Sequence, residues 1–173
     1  MIELVPHLLH PPHAVQSVAV SLKRSEAGLN LAFLMTGDLD AVVIPPPSTP
    51  NRAERLSETT CFEAFVRGDG PAYAEYNFSP SGEWAAFAFD DYRLGMRETD
   101  AVVSIVCRRD GAELAIDVVL DAAFPDHALL ALSAVVEERG GQKSFWALAH
   151  RAGPPDFHHE TCFALRLADI ARE

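Results

Sequence analysis

Three polar side chains lie among apolar residues on two neighbouring segments near the middle of the chain. Glu63 lies in the segment CFEAFVR, and Glu75 and Asn77 lie in the segment YAEYNF. Buried polar groups are costly unless they have hydrogen-bond partners, so each of these groups needs a partner in the protein or in a ligand. Carboxylates and amides can bind the hydroxyl groups of a sugar, and two carboxylates are also the catalytic pair of most glycoside hydrolases.

A second set of polar residues lies near the C-terminus. His150 ends the segment FWALAH, and Asp156, His158 and His159 follow within PPDFHHETCF. On a strand, Asp156 and His158 share one face, whereas the adjacent His158 and His159 point to opposite faces and cannot both bind one metal ion. His150, Asp156 and His158 could form a three-ligand metal site. Such triples also form structural hydrogen-bond networks, and we expect no metal here.

A sugar site also needs a flat aromatic ring that stacks on the C–H faces of the sugar. Trp84 and Trp146 are candidates, together with Tyr73 or Tyr92, although buried tryptophans are also common in sandwich cores. Arg93, in an irregular segment, could bind a ligand or form an internal salt bridge with a glutamate. No residue is predicted to be catalytic, and the predicted ligand-binding residues are Glu63, Glu75, Asn77, Trp84, Arg93, Trp146, His150, Asp156 and His158.

The elements that must position these residues are short strands. Between Arg55 and Phe89, apolar and polar residues alternate in three runs, separated by the turn sequences GDGP and SPSG. The total of roughly nine to eleven strands predicts an all-β fold, a two-sheet antiparallel β-sandwich with little helix, in which residues 1–173 form one domain. Further strands are predicted at 18–22, 29–35, 39–44, 102–108, 114–120, 129–137, 145–150 and 162–167.

The alternation also predicts which side chains form the core, although it leaves one question of register open. Whether Glu63 and Glu75 meet depends on how their strands pair across the loop 68–72, because a shift of one residue moves every side chain to the other face. The core candidates are Phe62, Val66, Tyr76, Phe78, Phe87 and Ile116.

Four motifs of this chain, TCFEAFVR, EYNFSPSGEW, WALAH and PPDFHHETCF, carry a family resemblance. They resemble the DOMON-like domains that are related to family 9 carbohydrate-binding modules. In those domains a Glu-bearing strand precedes a Tyr- and Glu-bearing strand that ends in Ser-Pro-x-Gly, and a Pro-Asp-Phe-His segment lies near the C-terminus. The resemblance extends from Arg55 to Leu167, and it implies a β-sandwich that binds a sugar or, in some relatives, haem.

The composition narrows the possible partners and the compartment. The formal net charge of −11 disfavours binding to nucleic acid or to an anionic membrane surface. The N-terminal apolar run follows no Lys or Arg and is interrupted by His and Pro, unlike a signal peptide or a membrane helix. We expect a cytoplasmic protein with three reduced cysteines, although a bridge between Cys61 and Cys162 stays open.

Two other functions compete with the binding of a sugar or a sugar-like small molecule. Haem would need axial ligands, for which Met35 or Met96 and His150 or His158 are available. Alternatively, a protein partner could cover the polar face. Enzymatic activity is not expected, because the common nucleotide-binding loops and the Gly-x-Ser-x-Gly motif are missing from the sequence. The predicted function is therefore a non-catalytic module that binds a small molecule without a cofactor.

Overall fold

Alternating apolar and polar residues form thirteen strands in the computed structural model, which describes residues 1–173. Helix is limited to four 3-10 turns at Leu39–Ala41, Leu56–Glu58, Glu160–Cys162 and Leu167–Asp169. The predicted all-β fold with two antiparallel sheets is confirmed. The strands are β1 (Ile2–Glu3), β2 (Val5–Pro6), β3 (Val15–Arg24), β4 (Gly28–Gly37), β5 (Cys61–Arg67), β6 (Tyr73–Phe78), β7 (Trp84–Phe89), β8 (Arg97–Glu98), β9 (Val102–Asp110), β10 (Glu113–Asp121), β11 (Leu129–Glu137), β12 (Lys143–Ala147) and β13 (Leu165–Arg166).

The first sheet has the strand order β1-β3-β4-β10-β9 and buries one of its faces. In β4 every second residue is buried, so that Leu29, Leu31, Phe33 and Met35 point toward the other sheet. This is the pattern expected when one face of an antiparallel sheet packs on a core and the other face is solvated.

The second sheet has the order β2-β12-β11-β5-β6-β7-β8, and β13 also pairs with β11. In β5 six consecutive residues from Cys61 are buried, and in β11 seven consecutive residues from Leu130 are buried. Because successive side chains point to opposite faces, both faces of these central strands must be covered. The inner face packs against the first sheet, and the outer face is covered by other parts of the chain.

The core between the sheets contains most of the predicted core residues. Phe62, Val66, Tyr76, Phe78 and Ile116 are all buried there, as predicted. The prediction for Phe87 was wrong. Phe87 lies opposite Glu75 of β6, on the outer face of the second sheet, where it is half-buried.

The segment between β12 and β13 crosses the outer face of the second sheet. Its side chains Phe157, Cys162 and Phe163 form a second apolar cluster with Phe65 and Tyr73 of the sheet. This segment has no long strand or helix of its own, so its apolar side chains hold it in place on the sheet. Part of the outer face of the second sheet is therefore buried inside the protein.

Two of the predicted strands were wrong. The run 39–44 begins with the 3-10 turn Leu39–Ala41, whose first free amide is capped by Asp38 Oδ1, which accepts from Asp40 N at 3.2 Å. The run 162–167 starts inside another 3-10 turn and contains only the two-residue strand β13. In both places a side-chain cap or tertiary packing prevails over the local strand pattern.

All three cysteines are free thiols, so Cys61 and Cys162 are not joined although both are buried. None of the helices has the length and apolar character that crossing a membrane requires.

The two faces of the second sheet can be distinguished by stability. Phe78→Ala should lower the free energy of unfolding by about 3–5 kcal/mol, because it leaves a cavity in the core between the sheets. Phe87→Ala should lower it clearly less, because Phe87 is only half-buried on the outer face. Urea denaturation of both variants checks this, and equal losses would contradict the assignment of faces.

Candidate functional site

The pairing of three strands brings the predicted polar residues together on the outer face of the second sheet. Glu63 in β5 lies opposite Asn77 in β6 and, on its other side, opposite Ser133 in β11. Glu75 lies two residues before Asn77, on the same face and diagonal to Glu63. Diagonal neighbours lie about 7–8 Å apart, within reach of long side chains. The register therefore places both carboxyl groups in one site.

These side chains form a hydrogen-bonded row in which one acceptor is left over. Ser133 Oγ donates to Glu63 Oε2 at 2.9 Å, and Asn77 Nδ2 donates to Glu75 Oε1 at 2.9 Å. Asn77 Oδ1 is buried and has no hydrogen-bond partner in the protein. An unsatisfied buried acceptor costs roughly 1–3 kcal/mol. A proton on the Glu63 carboxyl opposite it, or a donor from a ligand, would satisfy this atom.

Both carboxyl groups resist ionisation. Burial and the neighbouring charge of Glu75 raise the pKa of Glu63 to about 8, although the hydrogen bond from Ser133 opposes the rise. The pKa of Glu75 is raised as well, chiefly by burial, against the hydrogen bond from Asn77. Because two neighbouring buried carboxylates repel each other, the pair retains a proton near neutral pH.

His158 lies over this face as a neutral ring. The backbone N–H of Arg93 donates to the Tyr73 hydroxyl at 3.1 Å, and that hydroxyl is 2.7 Å from His158 Nδ1. The other ring nitrogen, Nε2, lies 3.6 Å from Glu75 Oε2. Burial, followed by the charge of Arg93, lowers the pKa of His158 to about 4, so this contact is not an ion pair at neutral pH.

Asp156 joins two loops above the sheet. Its carboxylate accepts from Arg93 Nη2 at 2.8 Å, from the Tyr92 hydroxyl and from the backbone N–H of His158 at 3.2 Å. Although burial opposes the shift, the hydrogen bonds from Tyr92 and Arg93 lower the pKa of Asp156, which therefore stays ionised. Arg93 itself adopts φ = 55°, a backbone conformation that residues other than glycine rarely adopt. Its hydrogen bonds to Asp156 and to the Tyr73 hydroxyl hold it in this conformation.

A cleft with two lobes opens over the polar row. The first lobe, of about 230 Å³, contains Glu63 and Phe65 together with Phe145 and Phe157. The second lobe, of about 380 Å³, contains Asn77 and is bordered by apolar side chains that include Phe87 and Met96. The lobes are adjacent, because Ser57, Glu75, Arg93 and His158 line both of them. Six of the nine predicted residues therefore lie at this cleft: Glu63, Glu75, Asn77, Arg93, Asp156 and His158.

The two predicted tryptophans lie elsewhere. Trp146 is buried in the core between the sheets, where its Nε1 donates to Ser144 Oγ at 3.0 Å. Trp84 is partly buried against the same core, and the guanidinium of Arg52 lies 4.5 Å from its ring centre. Both rings are on the opposite side of the second sheet from the cleft. Both tryptophans are therefore core residues, which was the alternative that the sequence had left open.

His150 also lies outside the cleft. Its Nε2 is 2.7 Å from the backbone oxygen of Val5, and its ring packs against His7 and, on the other side, near Phe157. Phe157 therefore stands between His150 and the cleft. Within the whole chain, no group of three or more His, Cys, Asp or Glu side chains is arranged to hold a metal ion.

The sequence pattern missed several residues of the site. Ser133 holds Glu63 in place, and its signal is the one polar residue inside the apolar run LLALSAVV. Phe145 and Phe157 line the cleft although their pattern is that of ordinary core residues. Tyr73, a candidate for stacking on a sugar, instead orients His158 through its hydroxyl.

Comparison with known proteins supports the fold. The chain is similar to a crystal structure from Bacteroides uniformis described as a "putative carbohydrate-binding protein", with 13% sequence identity, a TM-score of 0.63, and coverage of 94% of this chain and 84% of that one. No protein-family model matches the sequence, and no curated protein matches it significantly. At this identity the likeness establishes a shared fold, and the resemblance to DOMON-like domains and family 9 modules stays a prediction.

The raised pKa of Glu63 predicts how stability depends on pH. Glu63 loses its proton near pH 4.5 when unfolded but near pH 8 when folded, so the folded state binds more protons between these values and stability falls as pH rises. Between pH 6.5 and 8 the free energy of unfolding should fall by roughly 2 kcal/mol. The lowered pKa of His158 acts in the opposite direction only below pH 6.5.

Urea denaturation at pH 6.5 and 8 tests this in the native chain and in Glu63→Gln. The neutral amide should remove most of the fall and should make the variant the more stable protein at pH 8. The matched control is Glu113→Gln, which changes an exposed acid on the other sheet. Parallel pH profiles for the native chain and Glu63→Gln would show that Glu63 ionises normally.

The contacts of Asp156 predict which segments it holds. Asp156→Ala should speed amide hydrogen exchange in residues 90–97 and 154–163, because both segments lose their shared hydrogen-bond acceptor. Exchange in β3 and β4 of the first sheet should stay slow. Mass spectrometry of exchanged peptides measures both, and uniform acceleration across the chain would indicate global destabilisation instead.

Proposed function

We propose that the chain is a non-catalytic module that binds a sugar or a sugar-like small molecule in the cleft over the outer face of the second sheet. The observation that carries the proposal is the convergence of buried polar groups on one cleft. Glu63, Glu75 and Asn77 lie along its floor, and Asn77 Oδ1 has no partner in the protein. Natural structures rarely leave such atoms unsatisfied, and sites that bind ligands are a common exception.

The cleft has the mixed character that a sugar requires. Carboxyl and amide groups on its floor can accept hydrogen bonds from hydroxyl groups, and the half-buried Phe87, together with the edge of Phe157, offers apolar surface to the C–H groups. These phenylalanines take the role that the sequence had assigned to Trp84 and Trp146. The lobes of about 230 and 380 Å³ are at or below the lower end of ordinary ligand pockets, which suits a ligand the size of a monosaccharide.

Two comparisons support a carbohydrate as the ligand. The structure from Bacteroides uniformis that shares this fold is described as a "putative carbohydrate-binding protein". The motifs that resemble family 9 modules also contain five of the six predicted residues at the cleft: Glu63, Glu75, Asn77, Asp156 and His158. Since a shared fold does not fix function, the proposal depends on the cleft itself.

A binding role suits the two carboxyl groups better than glycosidic hydrolysis. In a glycoside hydrolase the two carboxyl groups flank the scissile bond. Here Glu63 and Glu75 both stand on the floor of the cleft, on one sheet face, and each already accepts a hydrogen bond from the protein. They would contact the same side of a ligand.

Haem and a protein partner are the alternative occupants. Met35 lies in the core, and His158 has Tyr73 on one ring nitrogen and Glu75 near the other, which argues against axial ligation. One observation favours a protein partner: the rim of the cleft exposes Leu94 and Met96, by 64% and 59%.

We further propose that the module works in a reducing compartment such as the cytoplasm, because its buried cysteines are free thiols.

Ligand binding can be tested by calorimetry with a panel of monosaccharides. At least one sugar should bind, and Glu75→Gln should weaken it about tenfold or more, because a charged acceptor forms stronger hydrogen bonds than an amide. Glu113→Gln, on the far sheet, is the control and should bind normally. A sugar that binds Glu75→Gln as tightly as the native chain would place its site elsewhere, and a panel without any binding would overturn the proposal.

A further inference from the structure

We infer that the preferred ligand of the cleft presents a protonated amine, as an amino sugar does, to the row formed by Glu63, Asn77 and Glu75. This inference rests on the proposed function and specifies the chemical class of the ligand. Three observations carry it: the floor of the cleft consists of hydrogen-bond acceptors, the nearby cations are already engaged, and one of the acceptors is buried without a donor.

The row of Glu63, Asn77 and Glu75 offers a ligand several acceptors, and its one donor that is not already used is the proton that the carboxyl pair retains. Asn77 Nδ2 already donates to Glu75, and the Ser133 hydroxyl already donates to Glu63. The amide oxygen of Asn77 has no partner in the protein. A ligand that meets this surface must therefore donate hydrogen bonds. An ammonium group has three N–H donors and a positive charge, which suits two carboxyl groups and an amide oxygen better than a neutral hydroxyl does.

No Lys or Arg forms a salt bridge with either carboxyl group, and the charge of Arg93 lowers the pKa of both only from a distance. Arg93 directs its guanidinium to Asp156 at 2.8 Å, and Arg55 pairs with Glu58 at 2.7 Å. His158 is hydrogen-bonded to the Tyr73 hydroxyl and faces Glu75 as a neutral ring.

The lack of a paired cation matters because both carboxyl groups are buried. Glu63 is 3% exposed and Glu75 is 8% exposed, so solvent screens their charges poorly. A cationic ligand would provide the missing counter-charge.

Ligand binding should therefore be coupled to the release of a proton. Two other titratable groups lie near the pair. Burial raises the pKa of Cys61, two residues before Glu63 on the same face of β5, well above its ordinary value. Asp156 stays ionised in its contacts with Arg93. Neither changes charge between pH 6 and 7.5. Glu63, with its pKa near 8, holds a proton in this range, and a bound ammonium group would displace it. Binding should therefore release up to about one proton, and affinity should rise with pH by up to about tenfold per unit.

The experiment compares glucosamine with glucose and N-acetylglucosamine at pH 6.5, by calorimetry in buffers with different ionisation enthalpies. Simple amino groups are mostly protonated at this pH. Glucosamine should bind at least about tenfold more tightly than both neutral sugars, and its binding should release a proton to the buffer. Glu63→Gln should remove the proton release and most of the preference, while Glu113→Gln should retain both.

The outcomes separate this inference from the proposed function. If the three sugars bind equally without proton release, the amine specificity is wrong and the sugar-binding function stands. If glucosamine keeps its preference in Glu63→Gln, the carboxyl pair does not recognise the amine. If none of the three sugars binds, and the wider panel is equally negative, both proposals fall together.

Discussion

The Asp156 carboxylate holds together the two segments that cover the outer face of the second sheet. It accepts hydrogen bonds from Arg93 and Tyr92 in the loop after β7 and from the backbone of His158 in the segment before β13. The Tyr73 hydroxyl makes a second link between the same segments, since it accepts from the backbone N–H of Arg93 and is hydrogen-bonded to His158. The cleft is the space left between these segments and the strands beneath, so its shape depends on one partly buried carboxylate.

The same covering segments change the electrostatics of the floor. On an open sheet face, Glu63 and Glu75 would be ordinary solvated carboxylates. Because His158 and the aromatic side chains near it exclude water, both carboxyl groups resist ionisation. Replacing buried ionisable groups by apolar residues of similar size is often neutral or stabilising. The chain therefore keeps this pair at a cost in stability, which is typical of a site that serves function.

Most of the fold could be predicted from period-2 alternation, because burial on one face of a strand is what produces that pattern. The first sheet obeys this rule, as β4 shows with its alternate buried residues. The rule is weaker for a sheet covered on both faces, where either face can be apolar. Phe87 was assigned to the wrong face for this reason, and the tryptophans were offered to a site from which the sheet itself separates them.

The site was predictable in its residue types and not in its geometry. Polar residues within apolar strands identified Glu63, Glu75 and Asn77, since burying them requires a partner. Their register across the loop 68–72 had no local signal, because it is set by pairing with β11 and β7 as well. Ser133, which donates to Glu63, lies 70 residues away in sequence, and only the fold brings them together. A fold shared at 13% identity carries no information about such contacts, so the chemistry of the ligand has to be derived from the row of acceptors in this chain.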